Sequence, residues 1–527
     1  MTERPIVRTG FGRAARLGLV ATVLITIGSY GVGDIPRNSP VLSDLHLSWM
    51  SYGHGKTLCS LAFWIGIAAL VVAWVQIGRI VRTTDIPANL MRRTAAVWAA
   101  PLLIAVPIYS RDVYAYLAQG SLFAHGYNPY SDGPALLPGP LVDSMAQVWA
   151  TTTAPYGPAF MLITRGVADI VGNHVILGVL LMKLVMLPGF ALALWAIPRL
   201  AQHFPRRPVD TSDGDAGRGA YPAYGSWLVL LNPMLLVHLV GGPHVELLMF
   251  GVLAAGLVLV LEGRHGWGIA VLALAASIKI TAALALPFVL WIWLAHNRSA
   301  RDQGELQPRR DWREATKLTA AIVGIAMVVF GVFTLAVGHG LGWLTGLGWA
   351  DRIINWLTIP TAVAHLVTLV AAPFTALHLG PVLSVTRTIG EVVLALIAVT
   401  VWWKSRHTAR SAMVGAAWVM FAVLLLEPST LPWYYSWALV IAAAFDLGRR
   451  WSAAVVFACV FQLIVFQPDD SILMYNITDV LIAAALSGLA AWSLLRPDPL
   501  RLGVVRGYLW PDGTAPKVRT PQPAPGE

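Results

Sequence analysis

The chain has 527 residues, 57% of them hydrophobic and only 12% charged, about half the charge of an ordinary soluble domain. With a mean hydropathy of +0.66, this excludes a soluble globular domain, a disordered chain and a coiled coil, and leaves a polytopic membrane protein. The net charge of +10 does not point to nucleic acid, because Arg gathers in short loops between apolar runs, the pattern that orients a membrane chain.

A span needs about 20 mostly apolar residues. The first, near 14–34, follows Arg4, Arg8, Arg13 and Arg16. It resembles a signal peptide, but no small-residue cleavage site follows, so it reads as an uncleaved helix with a cytoplasmic N-terminus. Spans near 57–81 and 93–109 enclose a basic, cytoplasmic loop with Arg79, Arg82, Arg92 and Arg93. They deliver residues 110–156 to the outer face. That segment is too long and polar for a turn, and loops of this length are usually functional. Its first part reads as a short amphipathic helix at the interface. Residues 157–172 are apolar but short, and crossing would put the basic loop 199–219 outside, so they are laid along the outer surface.

A span near 174–197 then returns inward. Spans near 223–240 and 246–262 flank an outer break, GGPHVE, and spans near 266–280 and 282–296 flank Lys279. After the charged loop 297–314 comes a span near 316–337, then an outer, Trp-rich segment at 338–382. Within it, 361–377 reads as a partial or re-entrant helix. Spans near 383–403, 410–427, 433–448, 451–467 and 475–495 follow. The chain is thus expected to be an all-α polytopic membrane protein of about 14 spans, between roughly 12 and 15. Both termini lie inside, residues 1–495 form one membrane domain, and the basic, Pro-rich tail from 496 is disordered. The two cysteines, Cys59 and Cys459, sit in apolar runs and suggest neither a disulfide framework nor a zinc site.

Ionisable residues at membrane depth are costly, so each is a functional hypothesis. In this topology Asp112, His244, Glu246, Lys279, Asp351, Arg352 and Glu427 all converge on the outer face. Such a set suits sugar transfer from a polyprenyl phosphate. A carboxylate, Asp112, deprotonates the acceptor hydroxyl, and cations balance charge on the departing phosphate. Arg111, Tyr114, Tyr116 and Gln119 give Asp112 a polar, aromatic face, and Tyr156, Trp433, Tyr434 and Tyr435 are candidates for stacking on sugar and holding lipid. Arg352, between Trp349 and Trp356, is the candidate for the donor phosphate. Bland readings stand beside these: a solvated helix end for Asp112, a structural pair for His244 and Glu246, a snorkelling Lys279, an aromatic belt at 433–435. No Gly-rich phosphate loop and no carboxylate pair for magnesium is visible, so neither cofactor nor metal is expected. A transporter of polyprenyl-linked sugar is the alternative outside enzymes, disfavoured by the absence of internal repeats.

The stretch SRDVYAYLAQGSLFAHGYNPYSDGP, followed by Trp149 and APYGPAF, resembles the actinobacterial polyprenyl-phosphomannose-dependent α-1,6-mannosyltransferases, the MptA/MptB family, and the MptB type in particular. NPMLLVHLVGGPHVELLMFG, ASIKITAALALPF and LPWYYSW are similar to later motifs of that family. The resemblance spans about 90–500. It implies a GT-C glycosyltransferase fold with juxtamembrane helices in a long first outer loop, and an acid at the start of that loop, matched by Asp112. It further implies decaprenyl-phosphate mannose as donor, a mannosylated glycolipid as acceptor, inversion at the transferred carbon, and a place in lipomannan and lipoarabinomannan core synthesis at the plasma membrane. The resemblance also implies Asn-Asp after the His of GGPH in many relatives. Here Val245 and Glu246 stand there, so Glu246 replaces that acid one methylene longer. Within enzymes, an arabinofuranosyltransferase using decaprenyl-phosphate arabinose is the alternative.

Overall fold

The computed structural model describes residues 5–37, 40–84, 86–204, 222–301, 308–344, 353–497 and 499. The longer helices, numbered in chain order, are α1 (Pro5–Val32), α2 (Gly53–Thr83), α3 (Ala88–Leu102), α4 (Asp112–Ala124), α5 (Pro158–Val171) and α6 (Val175–His203). They continue with α7 (Pro222–Val229), α8 (Glu246–Leu261), α9 (His265–Ile278), α10 (Leu286–Ser299), α11 (Pro308–Val337) and α12 (Ile359–Ala371). The last are α13 (Leu379–Lys404), α14 (Ala409–Leu426), α15 (Tyr435–Ala442), α16 (Gly448–Val465) and α17 (Ile477–Leu495). An isolated antiparallel bridge, Phe466 to Ile472, closes the turn between α16 and α17.

All fourteen expected spans are helical, but not all are long. Among the described residues nine helices are long and apolar enough to cross a membrane, and a bent pair, Pro222–Val229 with Pro233–Gly241, makes ten. The runs 93–109, 246–262, 266–280 and 433–448 form helices of 15, 16, 14 and 8 residues. At 1.5 Å per residue these fall short of a hydrocarbon core about 30 Å thick. Length and composition therefore do not by themselves establish the count of 14.

The shortening has local causes. α3 carries Pro101 in its last turn and ends at Leu102. The carbonyls of Leu102 and Ala105 accept hydrogen bonds at 2.9 and 2.7 Å from Nζ of Lys183, a buried lysine within α6. The pair built on α7 bends by 49° at residues 230–232. There Pro233 has no N–H to donate, and Asn232 bridges the break: its Oδ1 accepts from the Met234 N–H at 3.0 Å and its Nδ2 donates to the Leu228 carbonyl at 3.1 Å.

Packing between helices uses small residues, as in membrane bundles generally. At the α6–α8 crossing, a Cβ on Gly251 would lie 1.9 Å from the Gly189 carbonyl oxygen. The expectation for 110–124 needs correction. α4 does not lie half exposed at a surface, because Val113 through Phe123 are all buried, covered by α5 and by the short helix Pro140–Ser144. α5 is a short helix lying against α4, and α12 is a 13-residue helix lying against α13.

The two ends of the bundle differ chemically. At one end Arg79 reaches the Ser493 carbonyl, Arg298 the Arg406 carbonyl and Asp311, and Arg449 the Leu495 carbonyl. The other end gathers the end of α1, the start of α4, the start of α8, the end of α9, the turn before α15 and the α16–α17 hairpin.

Candidate active site

Asp112 opens α4, its N–H held by Ser110 Oγ at 3.1 Å. An anion is favoured at a helix N-terminus. The approach is fixed by Tyr109, a non-glycine residue at φ 70°. Its N–H donates to the Pro468 carbonyl at 3.1 Å and its hydroxyl to the Leu463 carbonyl at 3.0 Å, which ties the start of α4 to the α16–α17 hairpin. The Asp112 side chain is 15% exposed. Burial raises its pKa above the ordinary carboxylate range and the Glu246 charge adds to this, while His244 and Lys279 act in the opposite sense.

Arg111 and Tyr114 are committed elsewhere. Arg111 Nε lies 3.2 Å from Oδ1 of the fully buried Asp34, just after α1, and its Nη1 donates to the carbonyls of Ser144 at 2.9 Å and Ile35 at 3.3 Å. The Tyr114 hydroxyl donates to the Asp34 carbonyl at 2.5 Å. Both hold α4 to the end of α1.

Across from Asp112 the chain makes a π-helical turn, Leu236–Gly241, a form that recurs at functional sites. Gly242 follows because only hydrogen fits: a Cβ there would sit 2.3 Å from the Ile108 carbonyl oxygen. The turn and the glycine after it aim two carbonyls at one imidazole. His244 Nδ1 lies 2.6 Å from the His238 carbonyl and 2.9 Å from that of Gly242, so Nδ1 carries the hydrogen. Its Nε2 faces Asp112 Oδ2 at 3.7 Å. The Trp433 ring stacks on the imidazole, centroids 3.7 Å apart and 23° between planes.

Glu246, fully buried at the start of α8, pairs with Lys279. Lys279 follows α9 on extended backbone. Its ammonium lies over the rings of Tyr434 at 4.3 Å and Trp437 at 5.2 Å, and these rings stack on each other at 4.4 Å. Tyr116 meets Tyr156 and Phe160 edge-on, both at 5.2 Å, and its hydroxyl lies 3.5 Å from the Val245 N–H. One compact cluster thus contains a carboxylate, an imidazole, a second acid with its lysine, and a lining of aromatic rings. Among the described residues no three His, Cys, Asp or Glu side chains are grouped to hold a metal ion.

Residues 15–295 match the family described as alpha-(1->6)-mannopyranosyltransferase, N-terminal domain, and residues 360–496 match the MptB C-terminal domain. The chain belongs to the MptA/MptB family. It is 40% identical over 513 residues to alpha-(1->6)-mannopyranosyltransferase A of Mycobacterium tuberculosis, covering 97% of this chain and 93% of that one. With the A protein of Corynebacterium glutamicum identity is 33%, over 89% of this chain and 95% of the relative. With the B protein of the same organism it is 29%, over 92% and 82%. The chain is therefore a multi-pass membrane protein of a mannosyltransferase family, similar to both its A and B members.

Within this family member, the residues singled out by sequence fall into three groups. Asp112, His244, Glu246, Lys279, Tyr116, Tyr156, Trp433 and Tyr434 come together. Arg111 and Tyr114 serve Asp34, Gln119 is buried with its amide oxygen lacking a hydrogen-bond partner, and Tyr435 faces an apolar cavity of about 400 Å³ between α14, α15 and α16. Glu427 ends α14, close enough for its charge to act on Tyr434. Arg352, with Asp351 and Trp349, lies outside the described residues. Sequence reasoning missed Asp34, His238, Trp437 and Asp470. Asp34 had a signal, an acid directly after the first apolar run. Asp470 had none, because a charged tip on a short loop between spans is ordinary.

Proposed function

We propose that the protein transfers mannose from a polyprenyl-phosphate mannose to a mannoside glycolipid, forming an α-1,6 linkage with inversion, on the extracytoplasmic side of the plasma membrane. The observation that carries this reading is the Asp112 carboxylate, the partly accessible acid of the cluster, with His244 and Lys279 around it. Asp112 removes the acceptor proton as the acceptor oxygen attacks the sugar carbon. The bond from that carbon to phosphate breaks with its electron pair on the phosphate oxygen. A single displacement needs one base and no covalent intermediate, and Glu246, the second acid, is already neutralised by Lys279.

Lys279 is the described cation placed to attract the phosphate, and Arg352 is the further candidate, since guanidinium matches phosphate oxygens in a two-pronged way. Tyr116, Tyr156, Tyr434 and Trp433 give the sugar flat apolar faces. A mannose donor is supported by the mannopyranosyltransferase names of the relatives, and the lipid carrier by a site at one end of a membrane bundle. The product would extend the α-1,6-mannan core of lipomannan and lipoarabinomannan.

The test is transfer by membranes containing the protein, given radiolabelled polyprenyl-phosphate mannose or polyprenyl-phosphate arabinose and short α-1,6-mannoside acceptors. Mannose incorporation in an α-1,6 linkage is expected, and loss of about 10²–10⁴-fold in Asp112→Asn. Arabinose transfer alone overturns the donor, and near-normal transfer by Asp112→Asn overturns the base.

A further inference from the structure

His244 is anchored on one edge and open on the other. Two carbonyls, of His238 and Gly242, hold Nδ1–H, and neither can donate to it. In the neutral ring Nε2 is therefore a lone pair. It is buried, it has no hydrogen-bond partner, and at 3.7 Å from Asp112 Oδ2 it is just beyond hydrogen-bond range. A buried imidazole nitrogen left empty and aimed at a carboxylate is costly unless a proton comes to lie between them. Substrate turnover supplies that proton.

We infer that His244 is the second proton acceptor of the transfer, taking through Nε2 the proton that Asp112 removes from the acceptor hydroxyl. The inference rests on Asp112 being the base. The acceptor O–H bond breaks as its oxygen bonds to the sugar carbon, and the proton goes to Asp112 Oδ2. The sugar–phosphate bond breaks with its electron pair on the phosphate. Asp112 then passes the proton to Nε2, His244 becomes an imidazolium, and the proton returns to water as the phosphate leaves, which resets both groups.

Among the described residues, His244 is the histidine whose open ring nitrogen is set against Asp112. Ser110 Oγ is engaged by the Asp112 N–H, Glu246 holds Lys279, and Lys279 is itself a donor. His238, from the π-helical turn, faces Tyr109 and Trp433 at ring distances of 4.4 and 6.0 Å. Asp470, on the α16–α17 hairpin, is an acid already crowded by Asp112. Trp433 completes the device: a ring face stacked on an imidazole attracts it more once it is charged. The stack thus favours the protonated state that the transfer creates.

Two variants test this. His244→Asn keeps an amide donor where Nδ1–H was and removes the acceptor at Nε2. Its kcat for transfer is expected to fall by about 10²-fold, with KM for donor and acceptor unchanged. His244→Gly opens the ring's place on Trp433, and added imidazoles should restore transfer at rates that rise with their basicity, as general-base catalysis requires. A purely structural ring would be restored equally by weak and strong bases. Wild-type kcat in His244→Asn, absent rescue, or rescue independent of basicity would overturn the inference. Asp112→Asn in parallel separates the two readings. If it loses transfer while His244→Asn does not, only the second acceptor fails; if it keeps transfer, the base itself is wrong.

Discussion

Asp112 has to be ionised to act, yet its surroundings oppose ionisation. Burial, with Glu246 in support, pushes its pKa up. Transfer should therefore rise with pH through a value above the ordinary carboxylate range, and kcat/KM measured from pH 4 to 8 checks this. Asp470 gives a stability signature of its own. Crowding by the protein, then by the Asp112 charge, pushes it up to about 7 from an ordinary 3.8. The folded state then binds the extra proton between these values. Stability from this group is full below 3.8 and is lost as pH rises toward about 7. Asp470→Asn should accordingly raise the melting temperature more at pH 8 than at pH 4, and an equal shift at both rejects the assignment. Lys279 poses the complementary problem, since removing it strands Glu246. Lys279→Met should cost about 3–5 kcal/mol, and Glu246→Gln added to it should recover much of that. Denaturant unfolding of the single and double variants measures the difference.

Among the helices, the contact of α6 with α8 governs where the site's second half stands. α8 begins at Glu246, two residues after His244, so a shift of α8 moves both. Gly189 and Gly251 let the two backbones touch, and a Cβ on either has backbone, not a flexible side chain, in its way. Gly251→Ala should destabilise the protein by about 1–3 kcal/mol, and it should lower transfer beyond what lost folding explains, read as activity per folded molecule. Neither glycine was legible as special, because small-residue spacings recur throughout apolar helices. The same holds for the π-helical turn. GGPH announced a break, and the structure puts it there. But that residues 236–241 would widen, so that the His238 and Gly242 carbonyls point at His244, depends on Asn232 and on Ile108 packing against Gly242, which no local pattern encodes. Apolar runs fixed which segments are helical; prolines and the buried Lys183 decided where they stop. The convergence of Asp112, His244, Glu246 and Lys279 was legible from topology alone, because alternating spans return every second loop to one end. Arg111 and Tyr114 were misjudged because adjacency to Asp112 says nothing about Asp34, nearly eighty residues earlier.

The whole molecule is polarised along its axis, and that polarity decides which side of the membrane the chemistry faces. Arg79, Arg298, Arg406 and Arg449 lie at the end opposite Asp112, each bound to a backbone carbonyl. Loops rich in Arg stay in the cytoplasm, so the site end should face outward. The donor chemistry depends on this, since a sugar carried on a polyprenyl phosphate must be presented at the face where the base stands. A reporter inserted after Gly139, in the loop beyond α4, should be active only outside the cytoplasm, and one after Ser299, at the end of α10, only within it. Both positions avoid the cluster: a Cβ on Gly139 meets nothing within 4 Å, and Ser299 is exposed. Replacing the four arginines by Gln weakens the orientation signal without touching Asp112. It should produce a mixed population in which the fraction of correctly oriented molecules, measured by the reporters, equals the fraction of transfer retained. If instead both reporters read the reverse in the unaltered chain, the site faces the cytoplasm and a lipid-linked donor loses its rationale.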